Sequence, residues 1–344
     1  MSDADGRVAA PRGSRARWPW LVAALLAVLA ASGLWPLAPA LPPSHPHPVS
    51  SYDDALAGFA RLLAAEPHGL VSGCESRLMT HGRRTPRAVV LFHGFTNCPQ
   101  QFGLFGDRCF SAGDNVLIPR LPEHGFTDRR AVTLGRVTPD RIAAAADQAI
   151  DIASGLGDTV VVAGLSVGAE AAAWAAARRP EVGRVVIIAP LLGIAHLPVA
   201  VSRFLARLWI AIPDSFHWWD PRMRERLPGP PYCYWGWSSR GLGEMLRLGF
   251  ALSAAAVRGP ARARSIVIVT NANDDAVDNG PARALAADWA RDAPGRVRTF
   301  EFADSLRLGH DVIDPDQPYQ RLEIVYPLLE RLVQGDAGVP VATR

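Results

Sequence analysis

The sequence predicts an α/β fold: a mostly parallel central sheet flanked by helices, with an inserted helical cap and an apolar N-terminal helix. Three observations predict it. Short β-branched runs recur along the chain, helical patterns separate many of them, and one interval between runs is far too long for a loop. The first run is RAVVLF, residues 87–92. NVLIPR (115–120), DTVVVAG (158–164), RVVIIAP (184–190), SIVIVT (265–270) and RTFEFA (298–303) follow. Most are apolar throughout, as strands buried on both faces should be. Helical periodicity is read over 138–156, 168–179, 281–292 and 317–334, and again in SYDDALAGFARLLAAE ahead of the first strand. Residues 191–264, between the fourth and fifth strands, hold VAVSRFLARLWIAIP, FHWWD and PPYCYWGWSS. That is too aromatic for a linker, and the stretch reads as a cap.

The N-terminus has a different character. Residues 1–17 carry Arg7, Arg12, Arg15 and Arg17, and 18–41 are almost wholly apolar. About 20 apolar residues cross a bilayer, and flanking arginines stay cytoplasmic. The segment is an uncleaved anchor or a signal peptide cut after Ala38-Pro39-Ala40. Its length and flanking tryptophans favour the anchor. Either way the domain at 51–340 is exported, membrane-anchored or secreted. The proline-rich stretch 42–50 reads as a semi-rigid spacer, with His45 and His47 as linker residues rather than metal ligands.

All 36 basic residues are arginine, and the net charge is only +3. With no basic run interleaved with aromatics, nucleic acid is not a suggested partner. Cys74, Cys98, Cys109 and Cys233 lie beyond the apolar segment, where an oxidising compartment permits disulfides. Cys98 and Cys109 are the closest pair in sequence. Four buried free thiols are the alternative.

The chemistry concentrates in DTVVVAGLSVGAEAAAWAAARR, residues 158–179. A serine hydroxyl is a weak nucleophile until a base takes its proton and the backbone exposes its oxygen. A sharp strand-to-helix turn does the second, and only small neighbours at ±2 avoid a clash, hence Gly164, Ser166 and Gly168. The following helix directs its N-terminal N–H groups at developing negative charge. An ordinary glycine-flanked turn is the plainer reading. After the first strand, His93-Gly94-Phe95 shapes a loop whose Phe95 N–H pairs with that of Val167 as an oxyanion hole. His93 closes that loop and is not the base. The base is expected late, at His310 in SLRLGHDVID. The orienting acid is expected after the fifth strand, in NANDDAVDNGP. Asp274, Asp275 and Asp278 compete there. Asp275 is preferred because Val277, two residues on, can pack under the sheet edge while the carboxylate points up. Asp274 is the rival, and loop capping is the commoner role of such aspartates.

The stretches VVLFHGFTNCPQQF, NVLIPRLPEHGFTDR, VVVAGLSVGAEAA, NANDDAVD and LGHDV, in order across 87–312, resemble the α/β-hydrolase superfamily. More narrowly they resemble its carboxylesterase, monoacylglycerol-lipase, lysophospholipase and S33-like aminopeptidase group. The resemblance implies a Ser166–His310–Asp275 triad. In it Ser166 attacks a carbonyl, His310 takes the proton, Asp275 holds the imidazole tautomer, and water resolves the acyl-enzyme without metal or organic cofactor. It points to a small-molecule ester or lipid substrate and leaves the oligomeric state open. Glu123 stands where the group commonly has glycine and adds a carboxylate near the rim. With Asp220 it could hold the ammonium of a peptide in the S33-like alternative. An apolar cap rich in Trp218, Trp219, Trp235 and Trp237 fits a fatty or aromatic ester better, although those rings could equally be the cap's own core. A binding module that kept the fold but lost activity is the alternative of another class, and the complete triad argues against it.

Overall fold

The computed structural model describes Trp20 and residues 40–336. The basic stretch 1–17 and the apolar segment 18–41 fall outside the described residues, save for Trp20, Ala40 and Leu41. Among the described residues no helix is long and apolar enough to cross a membrane.

A seven-stranded sheet organises the chain. Its strands are β1 (Arg77–Met79), β2 (Thr85–Phe92), β3 (Asn115–Ile118), β4 (Gly157–Leu165), β5 (Val182–Ile188), then β8 (Ile266–Asn271) and β9 (Val297–Phe302). The spatial order is β1-β3-β2-β4-β5-β8-β9, parallel except for β1, which pairs antiparallel with β3. All six expected strands form. β1 leaves no mark in the sequence, because three residues at an edge carry no period to recognise. Val89, Val90, Leu91 and Phe92 are wholly buried, which explains their unbroken apolar run.

The helices are α1 (Tyr52–Ala64), α2 (Gly103–Ser111), α3 (Pro139–Leu156) and α4 (Val167–Arg178), then α5 (Val199–Ala211), α6 (Ser239–Arg258), α7 (Asn279–Asp292) and α8 (Leu322–Gln334). α3 starts where Thr138 accepts the N–H of Arg141 and Pro139 takes the first turn. The insertion after β5 holds α5 and a two-stranded ribbon, β6 (Phe216–Trp218) and β7 (Gly236–Ser238). It is thus less helical than expected and ends earlier. α6 buries Met245, Leu246, Leu248 and Phe250 in the main core, so it belongs to the layer beside the sheet rather than to the cap.

Residues 41–49 are a docked strap and not a free spacer. Leu41 is buried in the core, and Trp174 Nε1 donates to the Pro42 carbonyl at 2.9 Å. Ser44 Oγ and the His45 N–H donate to Asp147, and the His47 N–H donates to Asp151. Asp147 and Asp151 also hold Arg179, a fully buried guanidinium that pairs with Glu181 as well. An arginine stripped of water needs such partners, and the same carboxylates then fix the strap.

Cys74 and Cys98 form the disulfide, with Cα atoms 5.2 Å apart; Cys109 and Cys233 are free. The proximity of Cys98 and Cys109 in sequence misleads for a packing reason. α2 turns Cys109 into the main core, while Cys98 sits with Cys74 and Tyr232 in a separate cluster.

Candidate active site

β4 ends at Leu165 and α4 begins at Val167, so Ser166 alone makes the corner. Its φ of 59° and ψ of −116° lie where a side chain is strained by about 1–3 kcal/mol. Two bonds hold it there: its N–H donates to Ile188 O, and its carbonyl accepts from Glu170 N. The flanking glycines are demanded by contact. A Cβ at Gly164 would lie 2.1 Å from Gly168 O, and one at Gly168 would lie 2.0 Å from Phe92 O. The elbow therefore presses on the end of β2, where the next loop starts.

That loop is stitched from both sides. His93 is fully buried; its Nδ1–H donates to Gly94 O, and its Nε2 accepts the Leu121 N–H. Burial holds its pKa well below the ordinary imidazole value, so it is neutral and structural. The Gly94 N–H donates to Gln101 Oε1 at 2.7 Å, and Gln101 Nε2 donates to Asp311 Oδ2 at 2.8 Å. Among the described residues, the N–H groups of Phe95 and Val167 have no protein acceptor. Both residues sit in segments that touch through Gly168.

His310 meets its carboxylate at Asp274, not Asp275. Nδ1–H donates to Asp274 Oδ2 at 2.9 Å and to Oδ1 at 3.1 Å. This corrects the preference for Asp275, and the reason is local. Val277 is buried, bridged to Ile194 beside the cavity, and its N–H and that of Ala276 donate to Asp274 Oδ1, curling Asp274 inward. Asp275, one residue on, is left exposed on the cavity wall. Asp278 caps α7 through the Gly280 N–H. Burial alone would raise the Asp274 pKa, but pairing with His310 outweighs it and holds the carboxyl below its usual range. Burial would likewise lower His310; Asp274 outweighs it, Asp311 and Asp275 add to the pull, and the imidazole pKa stands above its ordinary value.

Behind His310 lies a buried polar network that the sequence did not reveal. Asp311 accepts from the amides of Gln101, Gln317 and Asn97 and from the N–H groups of Ile313 and Asp314. Asp314 accepts from Tyr232 Oη. Burial and the neighbouring Asp311 push the Asp314 carboxyl up to about 7. Gln101 thereby ties the His310 loop to the loop bearing Phe95.

Ser166 and His310 open into one cavity of about 830 Å³, roofed by the cap. Trp209, Trp219, Trp235 and Trp237 line it; Trp209 and Trp219 also pack on Trp237, with ring centres 5.2 and 6.3 Å away, while Trp218 packs on Phe216 and is not part of the lining. Trp209, Trp219 and Trp237 thus face the cavity and pack within the cap at the same time. Glu123 does not reach the cavity, because its carboxylate pairs with Arg141 at 2.7 Å. Asp220 accepts the backbone N–H groups of Arg222 and Met223 in its own turn. Neither is placed to hold a substrate ammonium.

No curated protein matches the sequence. Among solved structures, the chain is similar to a metagenome-derived lipolytic enzyme, at 17% identity and TM-score 0.55 over 77% of this chain and 99% of that one. It is similar to the Paleococcus ferrophilus monoacylglycerol lipase, at 17% identity and TM-score 0.52 over 75% and 98%. It is also similar to a soluble variant of the Saccharomyces cerevisiae monoglyceride lipase, at 14% and 0.54 over 76% and 91%. At such identities the likeness establishes the fold. The family model for alpha/beta hydrolases matches residues 89–323, from β2 into α8, and by that match this chain belongs to the alpha/beta hydrolase family.

Proposed function

We propose that the protein hydrolyses carboxylic esters of acyl or lipid type through an acyl-enzyme. The observation that carries this reading is the joint placement of a strained Ser166 and a carboxylate-held His310 in one apolar cavity. Asp274 accepts a hydrogen bond from Nδ1–H and so keeps the proton on Nδ1, and the neutral ring presents an unprotonated Nε2 to Ser166. Ser166 Oγ adds to the ester carbonyl as His310 removes its proton. The oxyanion settles between the Phe95 and Val167 N–H groups. His310 then protonates the leaving alcohol and activates water for the second half-reaction. The withdrawal of Glu123 and Asp220 from the cavity supports an ester over a peptide amine.

The test is hydrolysis of p-nitrophenyl esters, acetate through palmitate, by the full chain in detergent and by Ser166→Ala. Turnover should fall by about 10⁵-fold or more in the variant, and the chain-length optimum sizes the cavity. A well-folded wild type that turns over no ester overturns the reading. Gln101→Leu should lower kcat by about 10²-fold with KM within a few-fold, the loss seen when an oxyanion donor is misplaced. A rise in KM at unchanged kcat would mean instead that Gln101 only shapes the pocket.

We propose further that the domain works outside the cytoplasm, tethered through its N-terminal segment or released from it. The Cys74–Cys98 disulfide supports an oxidising compartment.

A further inference from the structure

The wall of the cavity carries four side chains of the charged or imidazole type: His310, Asp275, Asp311 and Arg129. Three are accounted for. His310 and Asp275 sit at the reacting end, where Asp275 adds to the pull on the imidazole. Asp311 is filled by three side-chain amides and two backbone N–H groups.

Arg129 is different. Its guanidinium lies over the Trp235 ring, 4.5 Å from the centroid. Nε donates to Cys233 O at 2.6 Å, and Nη2 reaches Pro230 O at 3.4 Å. Its own carbonyl accepts the Trp235 N–H, so backbone and side chain are both fixed to the cap. Among the described residues no carboxylate pairs with it, and Nη1 donates to nothing. Its neighbour Arg130 has Glu225, and the buried Arg179 has three carboxylates. Carbonyl oxygens orient a guanidinium but do not neutralise it. Burial without a counter-charge pushes the Arg129 pKa below its ordinary value.

A fixed, partly desolvated cation with an open N–H edge in an otherwise apolar pocket is built to receive an oxyanion, since guanidinium matches carboxylate and phosphate in a two-pronged fit. We infer that Arg129 is an anion subsite: the preferred ester carries a second, negatively charged group, a carboxylate or a phosphate, that docks on Arg129 while its carbonyl sits at Ser166. This rests on the ester-hydrolase reading and names its substrate class. The Glu123 carboxylate, which would oppose an acidic group if it faced the cavity, is withdrawn onto Arg141.

The experiment compares matched esters. One arm sets p-nitrophenyl half-esters of dicarboxylic acids, four to ten carbons, against n-alkanoates of equal length. The other sets 1-acylglycerol 3-phosphate against 1-acylglycerol. In at least one arm wild type should favour the anionic member in kcat/KM, by about 10-fold or more. Arg129→Gln should erase that ratio, Arg129→Lys should keep part of it, and Asp275→Asn should raise it by removing the opposing charge. The arm that responds identifies carboxylate or phosphate. A ratio at or below one in both arms, or one unchanged in Arg129→Gln, overturns the subsite. To separate this from failure of the hydrolase reading, calorimetry on Ser166→Ala measures binding of the same ligands without turnover. Anionic ligands bound no tighter than neutral ones there also overturn it, whatever the kinetics show. Tight anion binding with no ester turned over leaves Arg129 standing and the hydrolase reading refuted.

Discussion

Asp274→Asn should lower kcat by about 10⁴-fold, while Asp275→Asn should cost less than about 10-fold. The asymmetry comes from which atoms are already committed. Asp274 Oδ1 accepts the N–H groups of Ala276 and Val277, each at 3.0 Å. An asparagine would keep its carbonyl oxygen on those donors and turn its NH₂ toward His310. The ring could then bond only as an acceptor at Nδ1, which puts the proton on Nε2. That tautomer cannot take the Ser166 proton. Asp275 makes no such bond and acts on His310 only through space. The pH profile separates the two. A carboxylate beside an imidazole raises its pKa, and the base works only when neutral. The acid limb of kcat/KM in wild type should therefore lie above the ordinary imidazole value. Asp275→Asn should move that limb to lower pH with the plateau nearly kept. A larger loss in Asp275→Asn than in Asp274→Asn would restore the other carboxylate to the role.

The same pair shows where sequence reading stops. The doubly buried strands announced themselves, because Val89–Phe92 on β2 and Val160–Val162 on β4 have no exposed face to alternate with. The elbow was legible because its steric demand is local: glycines at ±2 from Ser166 are required by contacts within and beside five residues. His310 followed from chain order. The sequence does not separate Asp274 from Asp275, because two adjacent aspartates look alike until backbone donors claim one of them. Gln101 and Arg129 gave no signal, since their roles depend on Asp311 and Trp235, which lie about 210 and about 106 residues away in the chain. The docking of the strap is invisible in the sequence for the same reason. Proline-rich composition describes a spacer well, and only the carboxylates of α3, about 100 residues on, turn it into a docked segment. α2 was hidden by Gly103 and Gly106. The second of these is explained by packing, as a Cβ there would lie 2.8 Å from the Ile118 side chain.

Gly168→Ala should lose about 4 kcal/mol or more of stability, roughly a 10 °C fall in Tm, and most of the activity of whatever remains folded. The added methyl would meet Phe92 O at 2.0 Å and His93 O at 2.5 Å. Both are backbone atoms, so no rotamer relieves the clash, and α4 must back away from β2. That motion carries the Val167 N–H away from the Phe95 N–H. Gly259→Ala is the control: its φ of 172° suits any residue and nothing stands within 4 Å, so Tm should hold within about 2 °C. A Gly168→Ala protein melting with wild type would mean that the elbow is not packed as described. The same melting series weighs the serine itself. Glycine occupies φ near 60° without penalty, so Ser166→Gly should relieve strain and melt no lower than wild type while abolishing turnover. A corner kept only for its small size would suit glycine at least as well as serine. A variant that gains stability and loses all chemistry shows that the hydroxyl is held in that strained position for its reactivity.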